Sequence, residues 1–299
     1  MAEALLRRMA EDVRVGGRCL AALEPHMART QNVASQLLLA AVHRMVLQGK
    51  LPEAARFYPS VGGIADVDAL WPYFLKGVPH AALPLNVQVN DVGRSRALLT
   101  GFLEIVRHTG MPLRLLEIGA SAGLNLRWDH FPFLEVPSTV RVVERRGCDI
   151  NPLDPMLEET APAILCFIWP DQTARFQQLS QALEIARRVP ASVDRSDAVP
   201  WLQTQLAELR PGITTVVFHS IFMPYLSEEA RSTVRRTIEQ AGHRATAGAS
   251  LAWLSMEPGV CKVDVHLALW PGGERRLIAH SGFDGSVEFL GIERGSCGS

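Results

Sequence analysis

Lysine is nearly absent from this chain: only Lys50, Lys76 and Lys262 stand among its 30 basic residues, and arginine supplies the rest. Charge of one sign is also missing, since 31 acidic residues leave a formal net charge of −1. A chain without charge excess has no broad electrostatic footprint for nucleic acid or an anionic membrane, so the expected partner is a small molecule. Cysteines are few and scattered, at positions 19, 148, 166, 261 and 297, with no C-x-x-C pair. That argues against a disulfide framework or a structural zinc site and for a reducing, cytoplasmic setting. No uncharged apolar run approaches the ~18 residues that suggest a membrane span. The opening MAEALLRRMAEDVR mixes acids into an amphipathic stretch, unlike the basic cap and apolar run of a secretory leader. What is present is a chain of 299 residues, 47% hydrophobic, long enough to bury one large core or two modest ones.

Residues 1–50 read as helices, and Ala34–Leu47 is a run of helix formers followed by Gly49. Residues 51–90 are punctuated by Pro52, Pro59, Gly62, Gly63, Pro72, Gly77, Pro79 and Pro84. They read as an irregular connector whose most unusual piece is RFYPSVGG at 56–63. Helix resumes over 91–108 and stops at Thr109-Gly110-Met111-Pro112. Strands and helices then alternate, with strands expected at 113–118, within 140–149, at 214–218 and at 251–256. Between them fall a helix over 171–189, a shorter one opened by Asp197, and one capped by Ser227 and closed by Gly242. Farther on, Val263, Val265, Leu267 and Leu269 alternate with Asp264, His266, Ala268 and Trp270, and strand-like runs follow at 275–279 and 287–290. Such a sequence demands a mostly parallel sheet with covered faces and an antiparallel hairpin at one edge. The expected organisation is a mainly helical unit over 1–109 and a Rossmann-like α/β unit over 110–299.

The stretch that speaks most to chemistry is LLEIGASAGLNL at 115–126. It sets Glu117-x-Gly119-x-x-x-Gly123 between a strand and an expected helix, and ligands of open α/β sheets bind beyond the carboxyl ends of their strands. Gly119 and Gly123 let backbone approach a ligand without a Cβ in the way. The same pattern also serves a tight strand–helix turn that holds no ligand. Ser121 stands where the dinucleotide fingerprint needs glycine, which leaves a nicotinamide-dependent oxidoreductase the weakest reading.

This stretch resembles the first motif of class I S-adenosylmethionine-dependent methyltransferases, where an acid and spaced glycines pack around the methionine part of the cofactor. The resemblance implies cofactor contacts at Glu117, Gly119, Ser121 and Gly123. It extends to Gly147-Cys148-Asp149-Ile150-Asn151-Pro152, which is similar to the acidic loop after the second strand. There a carboxylate accepts both ribose hydroxyls, a role assigned to Asp149, with Glu144 its rival if the strand ends earlier. Ser196-Asp197-Ala198 resembles the pair that flanks adenine, though Asp197 serves equally as a helix N-cap. His219 ends the strand that carries substrate-facing residues in such enzymes. It is either a general base near neutral pH or a structural histidine.

At the scale of the whole chain, the sequence resembles an uncharacterised bacterial family, a domain of unknown function numbered 2332. The segments VNDVGRSRAL (89–98), LLEIGASAGLNLRWD (115–129), RRGCDINPLDP (145–155), IWPDQTAR (168–175), VVFHSIFMPYL (216–226), LAWLSMEP (251–258) and LWPGGERRLIAHSG (269–282) carry that resemblance. It implies no activity. Asn90, Arg94, Trp128 and Glu257 are candidates for a substrate wall, and Asp129 is a second catalytic candidate. Trp128 and Trp169 are as well explained by core packing, and Asp171 and Arg175 by capping and helical pairing. Arg94, near a helix start, is expected to close with RFYPSVGG over the cofactor pocket and meet an anionic group. The alternative is that it only fastens the two units together.

The functional expectation is therefore an S-adenosylmethionine-dependent methyltransferase acting on an unidentified small-molecule acceptor, with no metal. One alternative is a non-catalytic, methyltransferase-like ligand-binding or interaction protein. Another is a hydrolase using the G-x-S-x-G at 119–123, with Asp197 or Glu257 and His266 or His280 as partners of Ser121.

Overall fold

A computed structural model describes residues 1–30, 34–81, 90–283 and 285–289; Pro84, Val89, Leu290 and Cys297 lie outside them. In chain order it contains α1 (Ala2–Arg14), α2 (Arg18–Thr30), α3 (Ala34–Leu47), α4 (Pro52–Ala55), α5 (Val67–Gly77) and α6 (Ser95–Thr109). Then come β1 (Leu113–Ile118), β2 (Val142–Asp149), α7 (Thr160–Leu165), α8 (Thr173–Ala186), β3 (Ser192–Arg195) and α9 (Ala198–Gln205). The remainder is β4 (Thr214–Ser220), α10 (Glu228–Gly242), β5 (Leu251–Pro258), β6 (Val263–Trp270), β7 (Arg275–Ser281) and β8 (Val287–Phe289). The chain divides into two compact units, one of residues 1–90 with 155–181 and one of 91–154 with 182–299.

The first unit is helical, and Leu5, Met9, Leu38, Val42, Tyr58 and Phe74 are among the residues of its core. Its helix α5 lies in the stretch expected to be irregular. Pro72 sits inside that helix, but Asp66 caps it by accepting from Ala69 N–H at 3.0 Å, and Leu70 and Phe74 bury its inner face. Those gains outweigh one missing backbone hydrogen bond. RFYPSVGG belongs to this unit and wraps a buried histidine. His43 stacks on Tyr58 (5.4 Å, 22°), hydrogen-bonds through Nε2 to Ser60 Oγ (2.8 Å), and donates from Nδ1 to Cys166 O (3.2 Å). Trp169 packs against the same core, and Asp171, expected as a helix cap, instead accepts from the Met1 ammonium at 2.7 Å.

The second unit holds a single eight-stranded sheet of order β3-β2-β1-β4-β5-β6-β7-β8. Pairings from β3 through β5 are parallel, and β5 through β8 pair antiparallel, so the edge is a meander rather than one hairpin. β3 was missed in the sequence because SVDR is four residues long and partly exposed. One face packs Leu116, Ile118, Val217 and Trp253 against Trp201 and Leu202 of α9 and Val234 and Ile238 of α10. On the other face Gly101 of α6 lies directly on Leu254 of β5, and Phe102 meets Phe218 edge-on. The helix expected after Gly123 is instead a 3-10 turn over Asn125–His130, kinked at Arg127. Buried Leu126 and Trp128 pin that short segment to the core, and Pro132 stops its continuation. Among the described residues no helix is long and apolar enough to cross a membrane.

Two stability measurements test this architecture. The pKa of His43 is lowered from 6.5 to about 4, chiefly by burial. The unfolded chain therefore binds a proton that the folded one refuses, and stability present above pH 6.5 is lost as pH falls toward 4. At ~1.4 kcal/mol per unit this amounts to roughly 3 kcal/mol across the window. His43→Gln should lower the melting temperature at pH 7.5 but flatten its fall between pH 6.5 and 4; an unchanged slope would overturn the assignment. Gly101→Ala should cost about 1–3 kcal/mol in denaturant unfolding, because the added methyl collides with Leu254.

Candidate functional site

The strand order reverses direction between β1 and β4. From β1 the sheet grows through β2 to β3 on one side, and from β4 through β5 on the other. Open α/β sheets bind ligands outside the carboxyl ends of the strands at such a switch point. Among the described residues, both non-glycine residues with positive φ lie there: Ser121 (φ 50) just past β1 and Ile221 (φ 51) just past β4. A β-branched residue in the left-handed region is strained and persists only where its surroundings over-determine it.

The loop after β1 folds back across the end of β2. Gly119 and Ala120 both donate to Cys148 O (2.9 and 3.0 Å), and Ser121 N–H donates to Asp149 Oδ2 at 2.9 Å. The other Asp149 oxygen accepts from Asn151 N–H at 2.8 Å. Asp149 thus stands at the carboxyl end of β2 and clasps the loop. Its rival Glu144 stands near the amino end of the same strand, paired with Arg114 (3.3 Å) and Arg210. Asp197 lies beyond β3 and caps α9 through Val199 N–H at 2.9 Å.

Glu117 is the least comfortable residue in this group. It is 3% exposed, and its Oε2 has no hydrogen-bond partner among the described residues. Burial holds its carboxyl well above the usual range; Arg127 and Arg94 oppose the rise, and Asp149 adds to it. Arg127, which sequence reasoning passed over, is 3% exposed with its own pKa lowered to about 10, mainly by burial. It donates to Val189 O (2.7 Å) and Gly123 O (2.6 Å), so it locks the loop while facing the acid electrostatically. Its position two residues before Asp129 in LRWD was the only sequence signal. Gly119 has φ +70, and a Cβ there would run into the ring of Phe222, so that ring covers the glycine. At Gly123 a Cβ would lie 2.7 Å from Val193, so this glycine serves close packing onto β3.

Compared with known protein families, residues 1–134 and 132–287 match the family described as "Uncharacterized protein conserved in bacteria (DUF2332)". The chain belongs to that family. No curated protein matches it. Among solved structures, "Crystal Structure of SCL7 in Oryza sativa" is similar over 86% of this chain and 64% of that one, at 14% identity and a TM-score of 0.30. The DUF2332 chain thus spans about 64% of the length of that rice protein.

Apart from Asn90, which belongs to the other unit, the remaining candidates of this DUF2332 chain divide between the two faces of its sheet. On the α6 face, Trp128 is fully buried and stacks on Phe102 at 4.4 Å, which makes it part of the core. Asp129 forms a two-pronged pair with Arg145, both contacts 2.6 Å. Ser95 donates to Asn125 Oδ1 at 2.7 Å, and Arg94 reaches Ser220 O at 3.4 Å. Asn90 is buried and ends the first segment of the other unit.

On the opposite face, Trp253 Nε1–H donates to His219 Nε2 at 3.0 Å. An indole nitrogen only donates, so His219 carries its proton on Nδ1 and gives it to Glu257 Oε1 at 2.6 Å. That oxygen also accepts from Phe222 and Met223 N–H (2.9 and 3.1 Å). Ser121 Oγ has no hydrogen-bond partner among the described residues, and His280 is bonded to Asp264 instead. Among the described residues no three His, Cys, Asp or Glu side chains converge as a metal ion would need.

Glu117 provides a direct test. An acid whose folded pKa is raised contributes stability below its ordinary value of 4.5 and loses it as pH climbs toward the raised value. Glu117→Gln should therefore melt higher than wild type at pH 8, by ~2–4 °C per kcal/mol relieved, and the gap should close near pH 5. A difference independent of pH would mean that the carboxyl is not the strained group.

Proposed function

We propose that the second unit is a Rossmann-like, methyltransferase-type domain that binds S-adenosylmethionine at the carboxyl ends of β1, β2 and β3 and methylates a small-molecule acceptor. The observation that carries this reading is the buried Glu117 carboxyl at the switch point, its Oε2 without a partner among the described residues, beside a glycine loop and with acids at the ends of the next two strands. The residues present fit the group: Glu117 would meet the amino-acid end, Asp149 the ribose hydroxyls, and Asp197 the adenine. Oxygens that accept one N–H each retain a lone pair for a hydroxyl. The bound cofactor supplies an electrophilic sulfonium methyl, whose transfer needs in-line positioning and little covalent help. His219 would be the base for an acceptor proton, with Trp253 Nε1–H bonded to its Nε2 in this structure.

A second reading, a ligand-binding relative without catalysis, is favoured by the Phe222 ring on Gly119 and by the 3-10 turn where such enzymes have a helix. Melting curves with S-adenosylmethionine, its demethylated product and NAD separate these ideas from the oxidoreductase. A ligand at 100 times its dissociation constant stabilises by about 2.7 kcal/mol. Stabilisation by the first two but not NAD is expected, and no shift with either would sink the cofactor reading. Asp149→Ala should weaken calorimetric affinity by about 1.5–3 kcal/mol, the value of hydrogen bonds to a charged group, while Glu144→Ala should not. The reverse pattern would move the ribose acid to Glu144.

A further inference from the structure

A concavity of the same unit lies on the α9/α10 face of the sheet, away from Glu117. It is a cavity of about 250 Å³ formed by the ends of β4 to β6 and by α10, with Trp253, Glu257, His266, Arg231, Arg235 and Arg275 in its wall. Its acids are partly engaged, with Glu257 Oε2 left without a hydrogen-bond partner among the described residues. Glu257 Oε1 gathers three N–H donors, and Asp264 is bonded to His280 at 2.8 Å. One of its cations is engaged too, since Arg231 donates Nε to Leu226 O (3.1 Å) and lies 3.6 Å from Glu228.

Arg235 and Arg275 differ from these. Neither has an ion pair among the described residues, and both are solvent-accessible. Arg275 is held over the Trp253 ring at 5.4 Å and by Ser255 Oγ at 3.3 Å, contacts that fix its direction without neutralising it. The two guanidiniums also sense one another: the Arg275 pKa is lowered, first by burial and next by Arg235, while the Glu257 and Asp264 carboxylates oppose the fall. His266 is lowered by burial and then by Arg275, which leaves a neutral imidazole beside them. Two like charges aimed at one concavity repel, and planar guanidinium forks match an oxyanion placed between them.

We propose that this cavity binds a small oxyanion ligand, a carboxylate or phosphate group taken jointly by Arg235 and Arg275 above Trp253. The site uses neither the β1 loop nor the acids at β2 and β3, so it does not rest on the cofactor reading, although His219, the base named above, shares its wall. It would hold equally in a methyltransferase and in a non-catalytic relative.

Calorimetric titration of the full chain with inorganic phosphate and with malonate, at constant ionic strength and without S-adenosylmethionine, tests it. Saturable one-site binding of at least one probe is expected, with affinity reduced tenfold or more in both Arg235→Gln and Arg275→Gln. Arg236→Gln, an exposed neighbour bonded to Thr233, should bind like wild type. Preference for phosphate identifies a phosphate-bearing ligand, and preference for malonate a carboxylate. Because Arg275 also packs on Trp253, the exposed Arg235 variant guards against local collapse. Absence of saturable binding, binding retained in both glutamine variants, or an equal loss in Arg236→Gln would overturn the proposal.

Discussion

One carboxylate oxygen organises the carboxyl end of the central strands. Glu257 Oε1 receives His219 Nδ1–H and the backbone N–H groups of Phe222 and Met223, joining the end of β5 to the turn after β4. Hydrogen bonds to a charged group are among the stronger ones, and three on one atom define a narrow geometry. That geometry holds the chain just past β4, where Ile221 adopts its left-handed conformation and Phe222 lies on Gly119. The same oxygen fixes the His219 tautomer, with Trp253 completing the arrangement from the other ring nitrogen. A single side chain thus couples both faces of the sheet: its backbone partners shape the β1/β4 switch point, and its side-chain partner lines the arginine cavity.

Around the switch point the chain accepts local costs together. Ser121 and Ile221 occupy unfavourable backbone regions, and Glu117 is buried with an oxygen unmatched. Costs of this kind, of order 1–3 kcal/mol each for backbone strain, persist where surrounding structure imposes them. Here the loop is imposed by Arg127 from within and by the Asp149 clasp from the strand end.

Much of this was legible in the residues themselves. The apolar runs at β1, β4 and β5 are buried on both faces and so are continuous, while β6 alternates because Asp264 and His266 face a cavity instead of the core. Asp197 and Ser227 were visible as caps because their chemistry is local. What escaped depended on tertiary context. α5 hid behind Pro72, and the turn after Gly123 is set by what Leu126 and Trp128 pack against. At the candidate site, Glu117, Asp149 and the glycines could be picked out by type and spacing. The His219–Trp253 bond could not, because it depends on the β4–β5 register, and neither could the meeting of Arg235 with Arg275.

The strand order also has a consequence for how the chain comes to be folded. β1 has β4 as one neighbour, and β4 begins at Thr214, a full hundred residues after Leu113. The first unit is similarly split, its opening ninety residues waiting for 155–181. At synthesis rates of ~5–20 residues per second, the apolar β1 spends roughly 5–20 s without that neighbour. Neither unit can close in order of emergence from the ribosome. Assembly is therefore delayed until most of the chain is made, and the interval is one in which LRLLEI is open to holdase chaperones and to pairing with the wrong strand.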